Sequence, residues 1–141
     1  MWDMVIPILI VVASNTFYNI CTKSTPDGVN PFGTLIITYL TAAVLTTIFF
    51  LFMVKPENAI FELSKINWTS IVLGIAIVGL EVGYIFMYRA GWKMSTGSLV
   101  ANTALAIVLI IIGAIIYKEH ITTKQIIGIT MCLIGIILIS K

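Results

Sequence analysis

Long apolar runs separated by short polar breaks organise this chain, at residues 4–22, 32–54, 68–88, 95–117 and 125–140. The runs are continuous rather than alternating. Because about 20 apolar residues at 1.5 Å per residue cross ~30 Å of hydrocarbon, they predict membrane-spanning α-helices. Four have that length; the fifth is short and is expected to extend through Lys124 and Lys141. The fold class expected is therefore an all-α integral membrane protein, with five transmembrane helices forming one membrane domain over residues 1–141.

The breaks carry their own turn chemistry. Thr25-Pro26-Asp27-Gly28-Val29-Asn30-Pro31 combines four breaker residue types and sets Pro31 to open the second helix. Lys55-Pro56-Glu57-Asn58 opens the longest connection, in which residues 59–65 predict a short amphipathic turn on the membrane surface. Gly91-Trp92-Lys93 and Lys118-Glu119-His120 supply the remaining turns. Trp2, Trp68 and Trp92 fall at span ends, where interfacial indoles are expected. The first run lacks a basic leader segment and carries Asp3 instead, so it reads as a retained helix.

Composition agrees with lipid as the solvent, since a chain 60% hydrophobic and 10% charged has too few polar groups to cover a surface in water. A net charge of +2 without a basic cluster gives no reason to expect nucleic acid as a partner. Cys21 and Cys132 lack metal-ligand spacing and read as packing residues, so neither a disulfide framework nor a metal site is expected. No nucleophile–base pair or phosphate loop is written, and neither catalysis nor a cofactor is expected.

Orientation is balanced. With five spans, Lys55, Lys65, Lys118 and Lys124 fall on one side (A), and Lys23, Arg89, Lys93 and Lys141 on the other (B). A Lys/Arg excess normally fixes the cytoplasmic face, so a tie leaves both orientations open and raises dual topology as an expectation; so few charges also tie by chance.

Polar residues inside the spans form stripes. Asn15, Tyr18, Asn19 and Thr22 follow i, i+3, i+4, i+7 spacing on the first helix, and Thr34, Thr38 and Thr41 share a face of the second. Glu81, Tyr84 and Tyr88 share a face of the third, and Ser95, Ser98 and Asn102 of the fourth. The fifth has Gly128 and Gly135 seven residues apart and reads as a packing or dimerisation element. By helical rise, Asn15, Thr41, Glu81 and Asn102 lie roughly 3 to 7 Å from their span centres toward side B, where they are expected to line one polar layer.

Of eight basic and six acidic residues, only Glu81 falls well inside a run. Intramembrane acids cost several kcal/mol on insertion scales and commonly mark an ion, proton or substrate route, so Glu81 is the first candidate for proton coupling. The alternative is a glutamate hydrogen-bonded to Tyr84 or a threonine. Asn15 and Asn19 are candidates because a buried amide needs several partners. Tyr18 and Asn102 share their stripes, and Tyr84 and Tyr88 offer rings to a cation or serve as packing. The threonines of the second span are expected to bond their own backbone. Asn67-Trp68-Thr69 also matches a glycosylation sequon, a pattern short enough to arise by chance.

A family resemblance covers essentially the whole chain. The third span ending Tyr88-Arg89-Ala90, the Ser95-Thr96-Gly97-Ser98 entry to the fourth and the Tyr117-Lys118-Glu119-His120-Ile121-Thr122 turn before a Gly-containing last helix resemble the EamA-type repeat of the drug/metabolite transporter superfamily. Ser14-Asn15 and the terminal Lys23 are similar to the polar first helix of that repeat. The resemblance implies a secondary transporter of a small organic solute, working by alternating access in the cell membrane, in a prokaryote the inner or plasma membrane. It also implies a second copy, because larger relatives carry two inverted repeats, and balanced charge makes an antiparallel homodimer the simplest arrangement. Small multidrug-resistance relatives place a coupling acid on the first helix where this chain has Asn15 and Asn19. A lipid or lipid-linked sugar flippase subunit and a non-transporting partner subunit are the alternative readings.

Overall fold

The computed structural model describes residues 2–120 and 122–140, with side chains for 5–120 and 122–138. Its elements are α1 (Trp2–Ser24), α2 (Pro31–Met53), a 3-10 turn (Pro56–Asn58), α3 (Ala59–Ser64), α4 (Trp68–Arg89), α5 (Met94–Ile115) and α6 (Thr123–Ser140). Helices α1, α2, α4 and α5 are long and apolar enough to cross a membrane. At 18 residues, or about 27 Å of rise, α6 is slightly short of the hydrocarbon thickness, a mismatch that local thinning or flanking polar residues accommodate. The Trp2 side chain and the expected extension through Lys141 lie outside the described residues.

Helix boundaries follow from side chains that satisfy the first free N–H groups. Asn30 caps α2, its Oδ1 accepting from the backbone N–H of Phe32 at 2.9 Å and of Gly33 at 3.4 Å, with Pro31 in the first turn where no N–H is needed. Asn67 does the same for α4 by accepting from the N–H of Thr69 at 3.0 Å and from its hydroxyl, which gives the sequon asparagine a structural role. Thr122 and Gln125 form a reciprocal capping box before α6: Gln125 Oε1 accepts from the Thr122 N–H at 2.7 Å, and Thr122 Oγ1 accepts from the Gln125 N–H at 3.3 Å. In the turn after α4, Gly91 takes φ 95°, a conformation glycine adopts without a Cβ penalty, and donates its N–H to the Tyr88 carbonyl at 3.1 Å.

The chain divides into two compact units, residues 1–23 with 87–141 and residues 24–86. In the first, α5 and α6 pack together and α1 joins the end of α4. The first turn of α5 meets the end of α4 at Gly97, which is buried; a Cβ there would lie 3.0 Å from Met87 Cε and 3.2 Å from Trp92 Cβ. The second unit holds α2, the surface segment Pro56–Asn58 and Ala59–Ser64, and most of α4, with Leu35 and Ile85 buried. Along the spans most large apolar side chains face outward, as helices solvated by lipid tails allow.

Because Trp92 Cβ moves only with its backbone, Gly97→Val is expected to overpack the start of α5 and lower stability by about 1–3 kcal/mol. Thermal unfolding of the purified protein in detergent measures this; an unchanged midpoint would show that the start of α5 accommodates a side chain.

Candidate functional site

Residues spaced by four along α1 fall on one helical face, and Asn15, Asn19 and Lys23 form such a ladder. Asn19 is 6% exposed and both of its amide hydrogens are used: Nδ2 donates to Asn15 Oδ1 and to the Asn15 carbonyl, each at 2.8 Å, while Oδ1 accepts from the Tyr88 hydroxyl. Tyr88, 3% exposed, is fastened at both ends, because its carbonyl also accepts from Lys23 Nζ at 3.3 Å. The same ammonium donates to the Trp92 carbonyl at 3.2 Å and lies 5.6 Å from the centre of the Tyr88 ring. A lysine at the C-terminal carbonyls of α4 also complements that helix's dipole.

Asn15 and Asn19 of this ladder line one wall of a cavity of about 410 Å³. Val12, Asn15, Thr16 and Asn19 contribute from α1, and Met94, Ser95, Ser98, Leu99 and Asn102 from α5. Asn102 Nδ2 donates to the Ser98 carbonyl at 2.9 Å and to Ser98 Oγ at 3.1 Å, which leaves its Oδ1 as an acceptor. Asn15 Nδ2 and the Ser95 hydroxyl make no hydrogen bond among the described residues. The walls thus offer a donor, an acceptor and a hydroxyl to a solute on otherwise apolar helices. A hollow of about 430 Å³ beside Trp68, Val72 and Ala76 is lined by residues of α4 alone, with Thr69 and Ser70 its polar members, and is a crevice along one helix.

Glu81 and Tyr84 belong to the second unit. Glu81 is half-buried and interacts with the Tyr39 hydroxyl of α2, which is turned from solvent but makes no hydrogen bond of ordinary geometry. The sequence offered Tyr84 or a threonine as the partner and gave no sign of Tyr39, which stands beside the Thr stripe and off its face. The threonines themselves turn to their own helix: Thr38 Oγ1 donates to the Thr34 carbonyl at 3.1 Å and Thr41 Oγ1 to that of Ile37 at 2.9 Å. Of the four residues expected at one depth, Asn15 and Asn102 line the same cavity in the first unit, whereas Thr41 and Glu81 lie in the second. Tyr18 is half-buried on α1, its carbonyl accepting from Thr22 Oγ1 at 2.7 Å. Lys23 is the residue sequence reasoning missed as part of the ladder; its i+4 spacing from Asn19 was the available signal.

Removing the Tyr88 hydroxyl leaves a buried amide oxygen without its donor, so Tyr88→Phe is expected to cost about 0.6–1.7 kcal/mol, the range of such bonds between membrane helices. Asn19→Ala should cost a similar amount and the double variant little more, with a coupling of about 1 kcal/mol between the sites. Unfolding of the four proteins in one detergent gives the cycle, and strictly additive losses would dissolve the link.

Comparison with known proteins bears on what such a cavity serves. The chain is 23% identical over 136 residues to an uncharacterized transporter of Archaeoglobus fulgidus, an alignment covering 94% of this chain and 47% of that protein. It spans about half the length of the curated relative it matches. No solved structure matches it. The model of the EamA-like transporter family matches residues 2–141. A multi-pass helical membrane protein with this full-length match belongs to the EamA-like transporter family.

Proposed function

We propose that this chain forms half of a secondary transporter that moves a small organic solute by alternating access. The cavity between α1 and α5 carries the reading, because neutral hydrogen-bonding groups at Asn15, Asn19, Ser98 and Asn102 are gathered on helices whose other faces suit lipid. Polar groups are costly in hydrocarbon, and a solute-binding cavity gives them a use. Glu81 beside Tyr39 is the proton-coupling group of this reading, since it is the acid set within a span and is half-buried beside a hydroxyl.

A second copy, inserted in the opposite orientation, supplies the other half. Four Lys/Arg on each side provide no orienting bias. On α6, a Cβ added at Gly128 or Gly135 would meet nothing within 4 Å, so a face of small residues stands open to a neighbouring helix. The membrane is the cell membrane, in a prokaryote the inner or plasma membrane.

Proteoliposomes test the transport reading with radiolabelled lactate, serine and ethanolamine, which span three charge types. Uptake of at least one above protein-free vesicles is expected, reduced roughly tenfold by Asn15→Leu or Asn102→Leu, the scale of one well-made polar contact. Glu81→Gln is expected to abolish stimulation by an imposed pH gradient while sparing solute exchange. No uptake of any of the three, or uptake indifferent to the asparagines, counts against the cavity.

The orientation is tested in a chain whose exposed Cys21 and Cys132 are first replaced by serine. A single cysteine placed at either terminus is then expected to label to equal extents from the two faces of the membrane. One-sided labelling would refute dual insertion.

A further inference from the structure

The charge around the cavity narrows the solute class, an inference that rests on the transport reading above. Among the described residues its lining holds no carboxylate and no cation; its polar members are amides and hydroxyls. The charge nearest along α1 is the Lys23 ammonium, one helical turn beyond Asn19 on the same face, or about 6 Å at helical rise. Its bond to the Trp92 carbonyl fixes it where α5 begins, two residues before Met94 and three before Ser95, both of which line the cavity. Two of its N–H groups go to the carbonyls of Tyr88 and Trp92. A lysine ammonium has three, so one remains.

The first turn of α5 adds to the same field. Lys93, its N-cap residue, supplies no side-chain cap, and backbone N–H groups at a helix start favour negative charge. The two walls are graded in the same sense: from Lys23 to Asn15 and from Ser95 to Asn102 is roughly 10 to 12 Å at helical rise, with positive charge at one end and neutral amides at the other.

We propose that the solute of this cavity bears a carboxylate, held at the Lys23–Ser95 end, with its hydrogen-bonding remainder reaching toward Asn15 and Asn102. Lys23 acts on the solute directly through its charge while its carbonyl bonds aim it. A simple amine would meet a cation at that end and no carboxylate among the described lining residues.

Matched probes that differ only in charge provide the test. Purified full-length protein in lipid nanodiscs is titrated with lactate, lactamide and 1-amino-2-propanol, and with benzoate, benzamide and benzylamine. Binding is read from thermal stabilisation and from the fluorescence of Trp92 in a chain whose Trp2 and Trp68 are replaced by phenylalanine. The carboxylate of at least one triplet is expected to bind at least tenfold more tightly than its amide and amine, the direction that one nearby positive charge imposes. Lys23→Gln, which keeps a donor for the carbonyls, should erase that preference, and Lys23→Arg should retain it. If Lys23→Gln does not fold, raising the ionic strength on the parent protein gives the second reading: carboxylate binding should weaken while amide binding holds.

Preference for the amines, equal binding within each triplet or no carboxylate binding overturns the inference. Preference for the amines together with labelled ethanolamine uptake would sink the carboxylate while leaving transport intact. Loss of all uptake would remove both.

Discussion

Fastening helices to one another in lipid falls to polar contacts and close approach, because acyl chains solvate an apolar side chain as well as another helix does. In the first unit the fastening is the Asn19–Tyr88 hydrogen bond together with the Lys23 clamp on the carbonyls of Tyr88 and Trp92. Individual interhelical bonds of this kind average about 0.6 kcal/mol in membrane proteins, so three contacts, two on Tyr88 and one on Trp92, are more telling than any one alone. Gly97 complements them by letting α5 start against the end of α4 with no side chain between.

The same bonds shape the chemistry of the cavity. Asn19 spends both amide hydrogens on Asn15 and accepts from Tyr88, and the Asn102 Nδ2 group is spent on Ser98, so what remains for a ligand is a small and specific set. A cavity whose polar groups are partly neutralised by one another can sit on lipid-solvated helices at modest cost and still hold a polar solute. In the proposed reading Lys23 joins structure and recognition, since the carbonyl bonds that tie α1 to α4 also hold a cation at the start of α5.

Much of the architecture was legible from the chain. Runs of apolar residues give the spanning helices because the hydrocarbon thickness is fixed, and Asn30-Pro31 and Gly91 mark helix ends through local rules that need no tertiary contact. The short surface segment was expected over residues 59–65 and forms as a 3-10 turn at Pro56–Asn58 followed by Ala59–Ser64. The candidate site was harder to read. Stripes place Asn15, Asn19 and Asn102 on helix faces, but a stripe does not name the opposing helix, and Tyr39 carried no signal because an aromatic residue in a span looks like packing.

The sequence alone determined what the bilayer dictates: helices of spanning length, most of their ends and one acid set within a span. Those features depend on a residue and its near neighbours in the chain, since lipid acts on every segment alike. Only the tertiary structure decided that Tyr88 binds Asn19, that Lys23 closes on the carbonyls of Tyr88 and Trp92, that the cavity lies between α1 and α5 and that Glu81 meets Tyr39. These pairings join residues up to 69 positions apart, and hydropathy does not distinguish among the helix contacts that lipid permits.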